Sequence, residues 1–168
     1  MKRLLLAAAT VLLAAVSTAA TSTPALADAA VTHQTISTPF SDTGLTDGCH
    51  PGATGTLAGI ATVSDQSVQT ADGFHVQGTE IDSGRIDWSD GSHTIIGSTD
   101  HFAFNTTAGT TEATDAHVDF GDNYNADGTF LFHTTFHSAS HFTVTNGVIT
   151  RVAFDFNHNH VFGSDCSP

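Results

Sequence analysis

Three carboxylates between residues 80 and 100 are the side chains best suited to chemistry. Glu80 and Asp82 are two positions apart, and Asp100 falls in the next predicted strand. Alternate residues of a strand point to one face, and the register predicted below places Glu80 opposite Asp100. Neighbouring carboxylates in a dry site raise one another's pKa. The three are candidate acid/base groups or candidate ligands for a cation. The alternatives are bulges at the flanking Gly78 and Gly84 that turn the segment outward, or a position at a wet barrel mouth.

Histidines form the second candidate group, because neutral imidazole is the commonest protein ligand for transition metals. His158 and His160 share a face of the last predicted strand, about 7 Å apart. The predicted register points both inward. It also aligns His117, His137 and Asp155 in one outward row. Both sets are candidate ligands for a divalent metal. A divalent metal is the one cofactor that the sequence suggests, and the sequence does not require it. Solvated polar residues, or for the row a pH-responsive patch, are the alternatives.

Regular turn signals define the elements that must position these residues. Each ends in a glycine, and the steps between Gly73, Gly91, Gly109, Gly128 and Gly147 are 18 or 19 residues. This spacing predicts long strands joined by three-residue loops with a left-handed glycine. The predicted strands are 30–40, 54–70, 74–89, 92–106, 110–125, 129–144 and 148–162, and 41–53 is a long loop.

Such loops pair residues at 70–74, 88–92, 106–110, 125–129 and 144–148, so that even-numbered positions face even-numbered positions along every hairpin. The even positions carry most of the aromatic side chains, which predicts one buried aromatic face. The predicted fold is therefore all-β, an antiparallel up-and-down meander of seven or eight long strands closed or nearly closed into a barrel. A membrane-spanning barrel with an apolar exterior is the rival. The aromatic residues predicted to line a ligand cavity are Trp88, Phe102, Phe104, Phe120, Phe132, Phe136, Phe154 and Phe156.

The first 27 residues have the pattern of a secretory signal peptide. Lys2 and Arg3 precede an apolar run, and residues 25–27 (ALA) fit a cleavage site. A transmembrane anchor is the alternative. The sequence thus predicts an extracellular protein with one domain, residues 28–168, that does not remain in the membrane after cleavage.

The net charge disfavours some classes of partner, and the two cysteines predict a covalent link. The chain has 17 acidic residues and a formal net charge of −13, which disfavours nucleic acid and anionic membranes as partners. Cys49 and Cys166 are the two cysteines. In an exported chain such a pair predicts one disulfide, which would tie the first part of the domain to its end.

Several segments resemble a largely uncharacterised group of small secreted actinobacterial proteins. The resemblance rests on Cys49, residues 74–79 (FHVQGT), 128–133 (GTFLFH), 141–147 (HFTVTNG), 152–155 (VAFD) and Cys166. It implies an exported β-barrel-like domain with a terminal disulfide and assigns no catalytic residue. At the level of the fold alone, the layout also resembles calycins and allene oxide cyclase-type barrels, which include carriers and isomerases.

Three functions follow as hypotheses. The first is a secreted carrier-like protein that binds a small apolar or cationic molecule in the barrel. The second is an isomerase- or cyclase-type enzyme that uses Glu80, Asp82 or Asp100, and the third is an extracellular module that binds a divalent metal. Motifs for serine hydrolases, phosphate loops and dinucleotide-binding folds are missing from the sequence.

Overall fold

The computed structural model describes residues 29–163, which form seven antiparallel strands in one sheet. The strand order follows the chain order, β1 to β7, so the all-β up-and-down meander is confirmed. The predicted signal peptide, the domain boundary at residue 28 and Cys166 lie outside the described residues. The strands are β1 (Ala30–Leu45), β2 (Gly55–Gln69), β3 (Gly73–Trp88), β4 (His93–Thr107), β5 (Thr110–Tyr124), β6 (Phe130–Thr145) and β7 (Val148–Gly163).

The sheet is not closed. Within residues 29–163 every strand contacts its sequence neighbours, while β1 and β7 do not contact each other. Two long edges therefore present backbone groups to solvent. None of the described residues belongs to a helix long and apolar enough to cross a membrane.

Two hairpin loops are one residue shorter than predicted. The β4–β5 loop is Ala108-Gly109, with φ of 48° and 80°, and the β6–β7 loop is Asn146-Gly147, with φ of 52° and 79°. Two successive left-handed residues make a type I′ turn, whose twist matches that of the flanking strands. The predicted left-handed glycine is present in both loops, but the predicted loop length is wrong.

The other three hairpins also differ in how well they were predicted. The loops that end in Gly91 and Gly128 have three residues as predicted. A bulge between Asn123 and Tyr124 nevertheless shifts most of the β5–β6 register by one residue. At β2–β3, Gln69 rather than Thr70 pairs with Phe74, so this loop too is one residue shorter than predicted, and Gly73 does not have the predicted left-handed conformation. Of the five predicted registers, only the β3–β4 register holds along its whole length.

These shifts correct the prediction of a single aromatic face, because a shift of one residue moves a strand's side chains to the opposite face. Trp88, Phe102, Phe104, Phe132 and Phe136 lie on one face. The other three predicted cavity residues, Phe120, Phe154 and Phe156, lie on the opposite face, where they are exposed.

The two faces differ in their ionisable residues. We call the one that holds Trp88 the carboxylate face, because it carries eight acids: Asp42, Asp65, Glu80, Asp82, Asp100, Asp115, Asp119 and Asp155. We call the other the histidine face, because it carries nine of the eleven histidines: His33, His75, His93, His101, His133, His137, His141, His158 and His160.

The apolar core lies at one end of the carboxylate face. It consists of Ala53, Leu57, Ile86 and Trp88, with Phe40, Leu45 and Ile96 packed against it. The loop 46–54 contributes to this end of the sheet, because the His50 ring stacks on the Trp88 indole with centroids 4.2 Å apart. Burial of these side chains anchors the strand ends that lead into the centre of the face.

Candidate functional site

Six ionisable side chains meet at the centre of the carboxylate face. Glu80 is directly opposite Asp100, as predicted, and Asp100 is opposite His117 on the next strand. In the neighbouring row, Ser98 is flanked by Asp82 on one side and Asp119 on the other. We call this group the carboxylate centre: Glu80 and Asp82 from β3, Asp100 from β4, and Asp115, His117 and Asp119 from β5.

Glu80 is the most deeply buried acid of the centre, with 3 % of its surface exposed. Its Oε2 atom is buried and has no hydrogen-bond partner within the described residues. The same holds for Oδ1 of Asp82 and Oδ1 of Asp100. The other oxygen of Asp82 accepts a hydrogen bond of 2.9 Å from Ser98 Oγ. Three acceptor atoms are thus withdrawn from water without a donor, which opposes folding.

Burial and mutual repulsion change the proton affinity of these acids. Desolvation, a hydrogen bond that protonated Asp100 donates to Asp115, and the negative charge of Asp115 raise the pKa of Asp100 to about 7. The pKa of Glu80 is also raised, first by burial and then by the charge of Asp82. Asp100 therefore exchanges its proton near neutral pH, where an unperturbed aspartate is fully ionised.

His117 supplies the one imidazole of the centre. Its Nε2 lies 2.8 Å from Oδ1 of Asp119, and this hydrogen bond is the main cause of its raised pKa. Its charge in turn lowers the proton affinity of Glu80 and Asp100 and partly offsets the effect of burial. The centre thus holds five carboxylates against one imidazole and remains electronegative.

Aromatic rings flank the carboxylates on the same face. Phe102 is opposite Asp115, is 6 % exposed, and lies 5.9 Å from the Phe104 ring. Phe136 is opposite Asp119 and meets the His117 ring edge-on at 6.4 Å. These rings belong to the predicted ligand-lining set, and they stand next to charge rather than within an apolar cavity.

The structure corrects the predicted row of His117, His137 and Asp155. His117 lies opposite Ser138 on the carboxylate face, whereas His137 lies on the histidine face opposite His158. Asp155 is opposite Ser140. The bulge between Asn123 and Tyr124 shifts the β5–β6 register and separates His117 from His137. The two-residue β6–β7 loop and the bulges between His141 and Phe142 and between Thr143 and Val144 separate His137 from Asp155.

His158 and His160 do share a face, and their ring centroids are 5.0 Å apart. That face is the exposed histidine face, where His158 pairs with His137 and His160 with Thr135, so the predicted inward orientation is wrong. In residues 29–163 no set of three or more His, Cys, Asp or Glu side chains has the geometry to hold a metal ion. Metal ligation by this pair stays a prediction.

Sequence reasoning missed half of the carboxylate centre. Asp115, His117 and Asp119 alternate along β5 as DAHVD, a period-two pattern that places all three on one face. The assumed three-residue loop at Gly109 assigned them to the opposite face. The pattern itself shows that the three share a face, but the length of the β4–β5 loop decides whether that face is also the one that holds Glu80.

The buried histidine of the loop before β2 was also missed. His50 is 4 % exposed, and its Nδ1 lies 3.0 Å from Oδ1 of Asp47. The same Asp47 oxygen accepts the backbone N–H groups of Cys49 and His50, each at 2.8 Å. This arrangement is an Asx-type turn, so Asp47 and His50 shape the loop that covers Trp88.

Comparison with known proteins gives no relative: no family model matches the chain, and neither a curated protein nor a solved structure shows significant similarity to it.

Proposed function

We propose that the chain is a secreted ligand-binding protein whose carboxylate centre holds a small organic cation, such as an ammonium or guanidinium compound. The observation that carries the proposal is the Glu80 carboxylate, which is nearly fully buried, has one oxygen without a partner, and is surrounded by further carboxylates.

The chemistry of the centre favours a cationic donor. An ammonium group has three N–H donors and no acceptor, and the centre has three buried oxygens that lack a donor. Binding would satisfy these atoms and neutralise part of their mutual repulsion. The rings of Phe102 and Phe136 could add cation–π attraction on the same face.

Secretion is part of the proposal and is supported by the signal-peptide pattern of residues 1–27. The resemblance to secreted actinobacterial proteins and the proposed Cys49–Cys166 disulfide agree with it. Intact-mass measurement of protein from the culture medium, before and after reduction, tests both features. Cleavage after Ala27 and a gain of two hydrogens on reduction are expected.

Calorimetric titration with a panel of mono- and diamines and guanidines tests the binding proposal. Glu80→Gln removes the buried charge, and we expect it to weaken binding at least tenfold. Glu112→Gln is the matched control, because it removes the same charge from an exposed position on the histidine face. Binding that Glu80→Gln leaves unchanged, or no binding by any cation, would refute the proposal.

The raised pKa of Asp100 gives this binding a pH dependence. Ionised Asp100 attracts a cation and neutral Asp100 does not, so affinity should fall as the pH decreases from 8 to 5.5. In Asp100→Asn the affinity should be lower at pH 8 and vary less over this range. Measuring the affinity at several pH values between 5.5 and 8 for the unmodified protein and for Asp100→Asn tests this prediction.

An isomerase- or cyclase-type enzyme is the second candidate function. It is favoured by Asp100, whose pKa of about 7 lets it both take and return a proton, and by the adjacent His117. An enzyme of this type would catalyse exchange of a carbon-bound proton of its substrate in D₂O. NMR of any bound cation in D₂O distinguishes the candidates: deuterium incorporation that Asp100→Asn abolishes indicates catalysis, and unchanged spectra indicate a binding protein.

A further inference from the structure

A shallow, open trough of about 720 Å³ crosses the histidine face over β1 to β5. Its volume falls within the range of about 300–1,000 Å³ typical of small-molecule sites. Most of its lining residues lie on the opposite face of the sheet from the carboxylate centre, and Gly78 and Phe102 of the carboxylate face also contribute to it.

Two parallel rows of side chains line the trough. His33, Gln66 and Gln77 are cross-strand neighbours in the first row. Ser64, Thr79 and His101 are neighbours in the second row, where Thr79 Oγ1 and His101 Nδ1 are 3.0 Å apart. Neighbours within a row are about 4.8 Å apart and the rows are about 7 Å apart. The trough therefore presents two parallel rows of hydrogen-bonding side chains that run across the strands.

The hydrogen-bonding capacity of the first row is unused. Neither Gln66 nor Gln77 makes a side-chain hydrogen bond within residues 29–163, so each presents both a donor and an acceptor. A hydroxyl group also donates and accepts, which makes an amide side chain its natural partner.

The trough is also free of fixed charge on its own face. Asp65, the one acid along it, belongs to the carboxylate face, where Gln34 Nε2 donates a hydrogen bond of 2.6 Å to its carboxylate. Neutral side chains that both donate and accept hydrogen bonds fit an uncharged, hydroxyl-rich ligand better than an ion. The acidic chain would in addition repel anions.

We infer that the trough binds a neutral, hydroxyl-rich chain molecule such as a linear oligosaccharide. The ligand lies across the strands, with its hydroxyl groups on Gln66 and Gln77 along one side and on Thr79 and His101 along the other. Four strand spacings give the trough a length of about 19 Å, so affinity should rise with chain length up to that span.

Titration with neutral oligosaccharides of increasing length, namely glucans, xylans and N-acetylglucosamine oligomers, tests the inference by calorimetry. We expect at least one series to bind with affinity that rises with length. The double variant Gln66→Ala/Gln77→Ala should weaken that binding at least tenfold. His137→Ala is the control, because His137 lies on the same face but outside the trough.

The same experiment separates this site from the cation site. Glu80→Gln should leave oligosaccharide binding unchanged, and the double glutamine variant should leave cation binding unchanged, with folding of each variant checked by its thermal transition. Absence of binding across all three series would overturn the inference. So would binding that the double variant leaves intact.

Discussion

Two regions of the carboxylate face, the Trp88 end and the carboxylate centre, differ in how far their buried polar atoms are hydrogen-bonded. Near Trp88 one buried polar atom, His50 Nε2, has no partner within the described residues, but the others form a chain: the indole Nε1 donates to Thr94 Oγ1 at 2.9 Å, and Thr94 donates to Asn123 Oδ1 at 2.6 Å. Thr94 and Asn123 are 6 % and 4 % exposed. At the carboxylate centre, Glu80 is equally buried, yet it keeps an oxygen without a partner.

This difference distinguishes the region that stabilises the fold from the region to which we attribute the proposed function. A completed hydrogen-bond chain under apolar side chains favours the folded state. Buried carboxylates without donors oppose it, since their charges lose solvation and repel one another. A region that costs folding free energy in the free protein can be compensated when a ligand binds it. We therefore infer that the Trp88 end stabilises the sheet, whereas binding is the role that we propose for the carboxylate centre.

The largest expected effect is loss of stability at the Trp88 end. Trp88→Ala should lower the free energy of unfolding by about 3–5 kcal/mol, because it removes a large buried side chain and leaves a cavity. Urea denaturation measures the change. Ile81→Ala is the control, since Ile81 is 54 % exposed and its loss should cost under about 0.5 kcal/mol. Similar values for the two variants would remove the distinction between the regions.

Breaking the hydrogen-bond chain should have a smaller effect. Thr94→Val preserves the shape of the side chain but leaves Trp88 Nε1 and Asn123 Oδ1 without their partner. We expect a loss of about 2 kcal/mol in the same urea experiment. Serine at this position keeps the hydroxyl, so Thr94→Ser should retain most of the stability. Equal losses for valine and serine would attribute the effect to packing alone.

The carboxylate centre should give stability an unusual pH dependence. The pKa of Asp100 is raised in the folded protein, so the folded state binds the proton more tightly than the unfolded state does. Stability should therefore rise as the pH falls from 8 to 5. His117 acts in the same direction, because its raised pKa contributes stability that is lost as the pH rises through its folded-state value.

After allowance for solvent screening of the half-buried Asp100, we expect a gain of about 1 kcal/mol across this range. Thermal unfolding at several pH values measures it, and Asp100→Asn should reduce the slope. A stability maximum at pH 8 in the unmodified protein would contradict the assignment.

The smallest expected effect is at the β4–β5 loop, which determines the face to which β5 contributes its Asp115, His117 and Asp119 side chains. Ala108 has a φ of 48°, which disfavours a residue with a β-carbon. Ala108→Gly should stabilise the protein by about 0.5 kcal/mol and leave ligand binding unchanged. Ala103→Gly, in the interior of β4, is expected to destabilise it instead.

Much of the fold was predictable, because strand alternation and regular glycines specify long antiparallel hairpins. The Glu80–Asp100 pairing was predicted because the β3–β4 loop has the assumed three residues. The carboxylate centre as a whole was not. The face on which its β5 members lie depends on whether Ala108 adopts a left-handed conformation and so makes a two-residue loop. The sequence alone does not decide between a two-residue and a three-residue loop. The bulges in β5–β6 and β6–β7 likewise have no glycine to mark them.

The most direct test is the free energy of unfolding of Glu80→Gln against the unmodified protein, measured in urea at pH 8 without added ligand. If the carboxylate centre is maintained for binding, removing its most buried charge should leave the protein as stable as before or more stable, by up to about 1 kcal/mol. A loss of more than about 2 kcal/mol would show that Glu80 stabilises the folded sheet and would contradict the account.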